Sequence, residues 1–401
     1  MALTRRIATS YNTRISVQSP NERAEQACQS LVFGGILPSA DGSDMTQLKT
    51  LANKITIARI VLLPGFCYLL YLEGGVGHMF LILGITLALG LTDWLDGIIA
   101  RKEGTTVLGS LLDPIADKIF IAVIYLPLTE KGLIPLWMTA CIFSRDFLVT
   151  SLRTSMLLRR APMRTSTLAK FKTAIQMFAI GYVILYHFAP YAWFAEPLVA
   201  APIVVPLAVV IYRLIRREPQ GKRSLTMLGL FVVGLLMYRI LGPALASTVT
   251  LWIVTALTVV SGGSYLVDAW SALRGQQGSF KEIGRFVLDG LLVPIVLLLL
   301  LGRQDAPGMS AVIIGAFTLE LAGNGLANFL ASEQIAPRFR WIAAKSALLV
   351  VLSGVALYLW WFDIELAWPV AEACVWGVLA VTVIFAIVGF WRHRRTYLRV
   401  I

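Results

Sequence analysis

Apolar runs of about 20 residues recur along the whole chain, near 57–76, 77–100, 111–128, 133–156, 168–188, 196–214, 226–243, 247–269, 286–302, 309–331, 342–361 and 367–391. A helix of about 20 apolar residues crosses a hydrocarbon core of about 30 Å. Backbone groups in lipid must be satisfied within the segment, so helices are the expected element. Composition points the same way. Hydrophobic residues make up 57% of the 401-residue chain and charged residues 14%, against about 25% charged in soluble domains. A water-soluble core could not hide so much apolar surface. The expectation is an all-α, polytopic transmembrane bundle of about twelve spans.

The formal charge is +12. In a soluble protein that would raise nucleic acid as a partner, but here the cations sit between apolar runs, where topology and anionic lipid headgroups explain them. Basic clusters alternate with nearly bare loops: Arg5, Arg6, Arg14 and Arg23, then Arg101 and Lys102, then Arg159, Arg160 and Arg164, with later clusters at 213–223, 274–285, 338–340 and 392–395. Lys131 and Arg303 are the obvious cations of the intervening loops. This pattern predicts an even number of spans in the cell (inner) membrane, with both termini and the 93–117 region facing the cytosol. The first 50 residues are polar, without the apolar stretch of a signal peptide, and read as a cytosolic tail. Cys28, Cys67, Cys141 and Cys374 have no metal-like spacing, and His78, His187 and His393 are scattered.

Residues 93–118 carry the sharpest chemistry. Asp93 and Asp96 are three apart, Asp113 and Asp117 four apart, so each pair shares one helix face. A short polar loop separates the pairs, and antiparallel helices would gather four carboxylates. Four anions at a membrane boundary repel one another and lose hydration. Divalent cations relieve both, and Mg²⁺ or Mn²⁺ suits an all-oxygen site. Gly97 and Ala100 leave a shallow face for a large headgroup, Arg101 can meet a phosphate, and Gly109 lets helices approach closely. Pro114 is expected in the opening turn of its helix, where a missing N–H costs little. The competing use of such acids, an ion site in a transporter or channel, favours charges nearer the midplane.

Asp93-x-x-Asp96-Gly97-x-x-Ala100-Arg101, a spacer, then Gly109-x-x-x-Asp113-x-x-x-Asp117 resembles the signature of the CDP-alcohol phosphatidyltransferases. The spacer 102–108 is one residue shorter than the family's usual eight. The resemblance implies metal binding by Asp93, Asp96, Asp113 and Asp117, with Asp117 also the general base, and a cytidine diphosphate against Gly97, Ala100, Arg101 and Gly109. It also implies a homodimer.

Two further stretches bear on the acceptor. Asn53-x-x-Thr56-x-x-Arg59 with Pro64 looks like the opening of the phosphatidylglycerophosphate synthases. Arg145-Asp146, Arg153 and Ala169-Lys170-Phe-Lys172-Thr173 with Gln176 are similar to a later region of those enzymes, Ala169 standing for their usual Gly. Ser261-Gly-Gly-Ser-Tyr265 resembles their last core helix. The implied reaction transfers a phosphatidyl group from CDP-diacylglycerol to glycerol 3-phosphate. Several cations fit that acceptor, since a dianionic phosphate needs neutralising where a bare polyol does not. Arg145, Arg153, Lys170 and Lys172 are the candidate phosphate ligands, and Thr56, Arg59 and Gln176 candidate pocket walls. Sister transferases using inositol phosphate, inositol or serine are the alternative.

The expected organisation is a tail (1–50), a phosphatidyltransferase-like membrane domain (51–275, with a two-helix insertion at 196–243) and a four-helix C-terminal domain (282–401). In the last, Glu320, Asn324 and Asn328 form one polar face, expected to join helices, with the lining of a small polar cavity for lipid or solute as the alternative. Asp289 has Arg285, one turn before it, as its expected partner.

Overall fold

The computed structural model describes residues 51–72, 74–103, 107–160, 175–176, 179–184, 192–217, 219, 222–274, 280–303, 307–336, 339–363 and 368–398; at some helical positions, 93–98 and 100–103 among them, only the backbone is described. Every described element is a helix. In chain order they are α1 (Leu51–Tyr71), α2 (Val76–Glu103), α3 (Val107–Glu130), α4 (Leu136–Leu158), α5 (Ala192–Ile215), α6 (Lys222–Arg274), α7 (Phe280–Val287), a π-helical turn (Leu288–Leu292), α8 (Val293–Arg303), α9 (Pro307–Ser332), α10 (Phe339–Trp361) and α11 (Trp368–Leu398).

Five described stretches are long and apolar enough to cross a membrane: Leu51–Tyr71, Ser224–Val267, Gly308–Ser332, Arg340–Trp361 and Trp368–Tyr397. That is fewer than the twelve expected, for identifiable reasons. Asp113, Asp117 and Lys118 interrupt α3, and Arg145, Asp146 and Arg153 interrupt α4. The apolar run in α8 is short, and most of 168–188 lies outside the described residues. Ser224–Val267 takes in the expected span 226–243 and nearly all of 247–269. As one straight helix α6 would be about 80 Å long, far beyond a core of about 30 Å. Gly242 breaks it at φ 75° and ψ 166°, a region essentially reserved for glycine, and Pro243 follows. Pro114 departs from expectation too. α3 begins at Val107, so Pro114 lies inside the helix, as does Pro127; such prolines are tolerated where neighbouring helices and side chains re-satisfy the freed backbone groups.

The best-buried packing lies where α3, α4 and α9 meet. The Phe317 ring meets Phe143 and Phe147 edge-on, with centroids 4.9 and 5.5 Å away, and Tyr125 meets Phe143 at 6.4 Å. Such pairs contribute about 0.5–1.5 kcal/mol each beyond area burial. Small residues bring backbones together: a Cβ at Gly290 would lie 3.2 Å from the Leu148 backbone, and one at Gly302 would lie 3.0 Å from Leu136. The C-terminal section therefore packs directly on α4. Within it Glu320 pairs with Lys345, and Asp289 accepts a hydrogen bond from Ser346. The Arg285 side chain lies outside the described ones.

Candidate active site

α1 is an apolar helix with one polar stripe. Asn53, Thr56 and Arg59 recur every three residues and are 2%, 1% and 3% exposed. A buried polar stripe must find partners, and this one meets the acids of α3. Thr56 Oγ1 donates to Asp113 Oδ1 at 3.3 Å and also reaches the Ala52 carbonyl at 3.2 Å. Arg59 Nη1 lies 3.6 Å from Asp117 Oδ1. Sequence reasoning made Thr56 and Arg59 pocket walls; the structure brings them onto two of the four aspartates. The signal was the three-residue spacing, which puts all three polar groups on one face.

Asp113 is exposed and Asp117 half-exposed, whereas their α1 partners Thr56 and Arg59 are buried. Gly109 is buried one turn before Asp113. Asp93, Asp96, Gly97, Ala100 and Arg101 occupy the last third of α2; their side chains lie outside the described ones. Only residues 104–106 separate α2 from α3, so the facing helix ends can stand no more than about 14 Å apart. Among the described residues no group of three or more His, Cys, Asp or Glu side chains could hold a metal. The donors that are described, two solvent-reachable carboxylates one turn apart, fit a hard divalent cation.

α4 carries the cations. Arg145 is firmly held: Nη1 donates to Asp146 Oδ1 at 2.8 Å, Nη2 donates to Ser261 Oγ at 2.9 Å, and the guanidinium lies 5.3 Å from the centre of the Tyr265 ring. Gly262 makes room for it, since a Cβ there would sit 2.9 Å from Arg145 Cγ. Sequence reasoning treated Arg145 as a phosphate ligand and missed this clamp, although the Ser261–Tyr265 stretch was in view. Arg153 is half-buried and has no ion pair or hydrogen bond among the described residues. Lys118 of α3 donates to Thr150 Oγ1 between the two arginines. Gln176 is 2% exposed, and its Nε2 has no partner among the described residues. Lys170 and Lys172 lie outside the described residues.

The sequence profile described as CDP-alcohol phosphatidyltransferase matches residues 49–212. A CDP-diacylglycerol–glycerol-3-phosphate 3-phosphatidyltransferase of Rickettsia typhi is 37% identical over 139 residues, covering 34% of this chain and 78% of its own. The Bacillus subtilis protein of the same name is 35% identical over 150 residues, covering 34% of this chain and 77% of its own. A Mycobacterium tuberculosis protein named probable phosphatidylglycerophosphate synthase is 33% identical over 186 residues, covering 46% and 85%. No solved structure gives a significant match. More than three quarters of each of these relatives thus has its counterpart in this sequence, and the chain belongs to the CDP-alcohol phosphatidyltransferase family.

Proposed function

We propose that the protein transfers the phosphatidyl group of CDP-diacylglycerol to sn-glycerol 3-phosphate, giving phosphatidylglycerophosphate and CMP. The observation that carries the reading is the meeting of the α1 stripe with the acids of α3, at Thr56–Asp113 and Arg59–Asp117. Two relatives that cover most of their own length here bear the name of that activity.

Asp93, Asp96, Asp113 and Asp117 would hold Mg²⁺ or Mn²⁺. When bound, such ions supply Lewis-acid polarisation of the lipid-linked phosphate and charge neutralisation at the leaving CMP. Asp117, half-exposed, takes the proton of the acceptor 1-hydroxyl. That oxygen forms a bond to the lipid-linked phosphorus, and the bond from this phosphorus to the bridging oxygen breaks, so the electron pair leaves with CMP. Arg59 orients the Asp117 carboxylate, and Thr56 does the same for Asp113. Gly97, Ala100, Arg101 and Gly109 receive the cytidine diphosphate. Arg153, Lys170 and Lys172 bind the acceptor phosphate away from the acids, and Arg145, gripped by Ser261 and Tyr265, shapes that end of the pocket with Gln176. Keeping two anionic substrates on separate cationic groups limits their repulsion.

The same proposal places the protein in the cell (inner) membrane as a multi-pass homodimer, with the site and both termini at the cytosolic face. Residues 51–275 form the transferase body, with 196–243 as the insertion.

The test is an acceptor panel on purified protein with CDP-diacylglycerol. Glycerol 3-phosphate should release CMP with Mg²⁺ or Mn²⁺ and not after chelation. CMP release with inositol phosphate, inositol or serine in place of glycerol 3-phosphate would move the protein to a sister activity. Absence of CMP release with every acceptor would end the transferase reading.

A further inference from the structure

α3 has two functional sides. Counting about 100° per residue, Leu108, Leu111, Leu112 and Ile115 face away from Asp113 and Asp117. That rear face packs on α9, where Leu108, Leu111 and Leu112 join Leu326, Phe329 and Leu330 in one apolar cluster. Beside the cluster Gly325 forms a notch for Ile115. A Cβ at position 325 would overlap Ile115 Cγ1 and lie 2.9 Å from its Cδ1. Ile115 is β-branched, so its χ1 is stiff in a helix, and it is buried. A side chain at position 325 would therefore press on the turn that carries both acids.

One turn further along the same face of α9, Asn328 Oδ1 accepts a 2.6 Å hydrogen bond from Thr154 Oγ1 of α4, the residue after Arg153. Gln334 Nε2 then donates to the Leu157 carbonyl at 3.0 Å. α9 therefore holds the acid-bearing helix from behind, and α9 with the turn that follows it holds the cation-bearing helix towards its end. It lies beyond residues 49–212, the part matched by the family profile.

We infer that α9 is a positioning element of the transferase site, Gly325 setting the acids of α3 through Ile115, and Asn328 setting Arg153 through Thr154. This rests on the transferase reading above and gives the C-terminal section a role in that site. The two contacts serve different substrates' chemistry, so they separate kinetically. A displacement of about 1 Å far from the chemistry can cost roughly 100-fold.

The experiment uses the full chain in lipid nanodiscs. Gly325→Ala should lower kcat by roughly 100-fold, with both KM values nearly unchanged and the melting temperature lowered by the overpacked notch. Gly325→Ala combined with Ile115→Ala should recover to within about threefold of Ile115→Ala alone, because the notch is vacated. Asn328→Leu and Thr154→Val should each raise the KM for glycerol 3-phosphate by about tenfold at constant kcat, whereas Thr154→Ser, which keeps the donor, should behave as wild type. A Gly325→Ala protein with wild-type kcat, a double variant as slow as the single, or unchanged acceptor KM in both Asn328→Leu and Thr154→Val would each overturn the inference. If Gly325→Ala does not fold, the Asn328 and Thr154 variants decide. Wild-type protein inactive with glycerol 3-phosphate would instead sink the underlying transferase reading.

Discussion

Arg59 Nη1 stands 3.6 Å from Asp117 Oδ1, with the arginine side chain 2% exposed and the aspartate 49% exposed. The pair is asymmetric: the guanidinium depends on its protein partners for compensation, whereas the carboxylate keeps access to water and to a substrate. An arginine placed so constrains where the carboxylate points. Arg59→Gln should therefore leave the fold intact, since Asp117 can turn to solvent, yet lower kcat by roughly 10- to 100-fold. Arg59→Lys keeps charge without the planar fork and should fall between wild type and Arg59→Gln. Steady-state kinetics alongside thermal unfolding would check both, and wild-type kcat in Arg59→Gln would remove Arg59 from the site.

Asp117→Asn preserves shape and a hydrogen-bond acceptor but cannot take the acceptor's proton. Turnover should drop by at least about 100-fold while CDP-diacylglycerol binding, measured by calorimetry or a filter assay, stays appreciable. Turnover that is unchanged across pH would reject Asp117 as the base.

The α4 cations should divide into two behaviours. Arg153 has no partner among the described residues, so Arg153→Ala should raise the KM for glycerol 3-phosphate by about tenfold or more and change the fold little; Lys170→Ala is expected to do the same. Arg145 is bound to Asp146 and Ser261 and lies over Tyr265. Arg145→Ala should accordingly lower the melting temperature as well as activity, because it leaves Asp146 without its guanidinium. Equal thermal effects in Arg145→Ala and Arg153→Ala would contradict this division.

Glu320 and Lys345 make a buried ion pair, their side chains 4% and 16% exposed. Removing one member leaves an uncompensated charge, which costs about 3–5 kcal/mol in buried pairs. Lys345→Met should thus lower the thermal midpoint clearly, and Glu320→Gln with Lys345→Met should restore much of the loss. A double variant no more stable than Lys345→Met would show that the pair's charges are not what the packing depends on.

Local pattern carried much of this protein. Apolar runs marked the described helices because a helix satisfies its own backbone in lipid. The spacing of Asp93 and Asp96, and of Asp113 and Asp117, placed each pair on one helix face, since three- and four-residue intervals define a helix face whatever surrounds it. Glu320 and Asn328 were likewise legible as a packing face, and they pair with Lys345 and Thr154.

What spacing cannot reveal is which face meets which partner. The period of the α1 stripe was readable, but its docking on Asp113 and Asp117 depends on how two helices cross. Arg145 and Ser261 are 116 positions apart, and no local rule joins them. Nothing in its neighbours along the chain distinguishes Gly325; only the approach of α3 makes it a seat for Ile115. Helix identity follows from neighbours along the chain, whereas the site's supports arise from contacts across it, and those exist only once the bundle has packed.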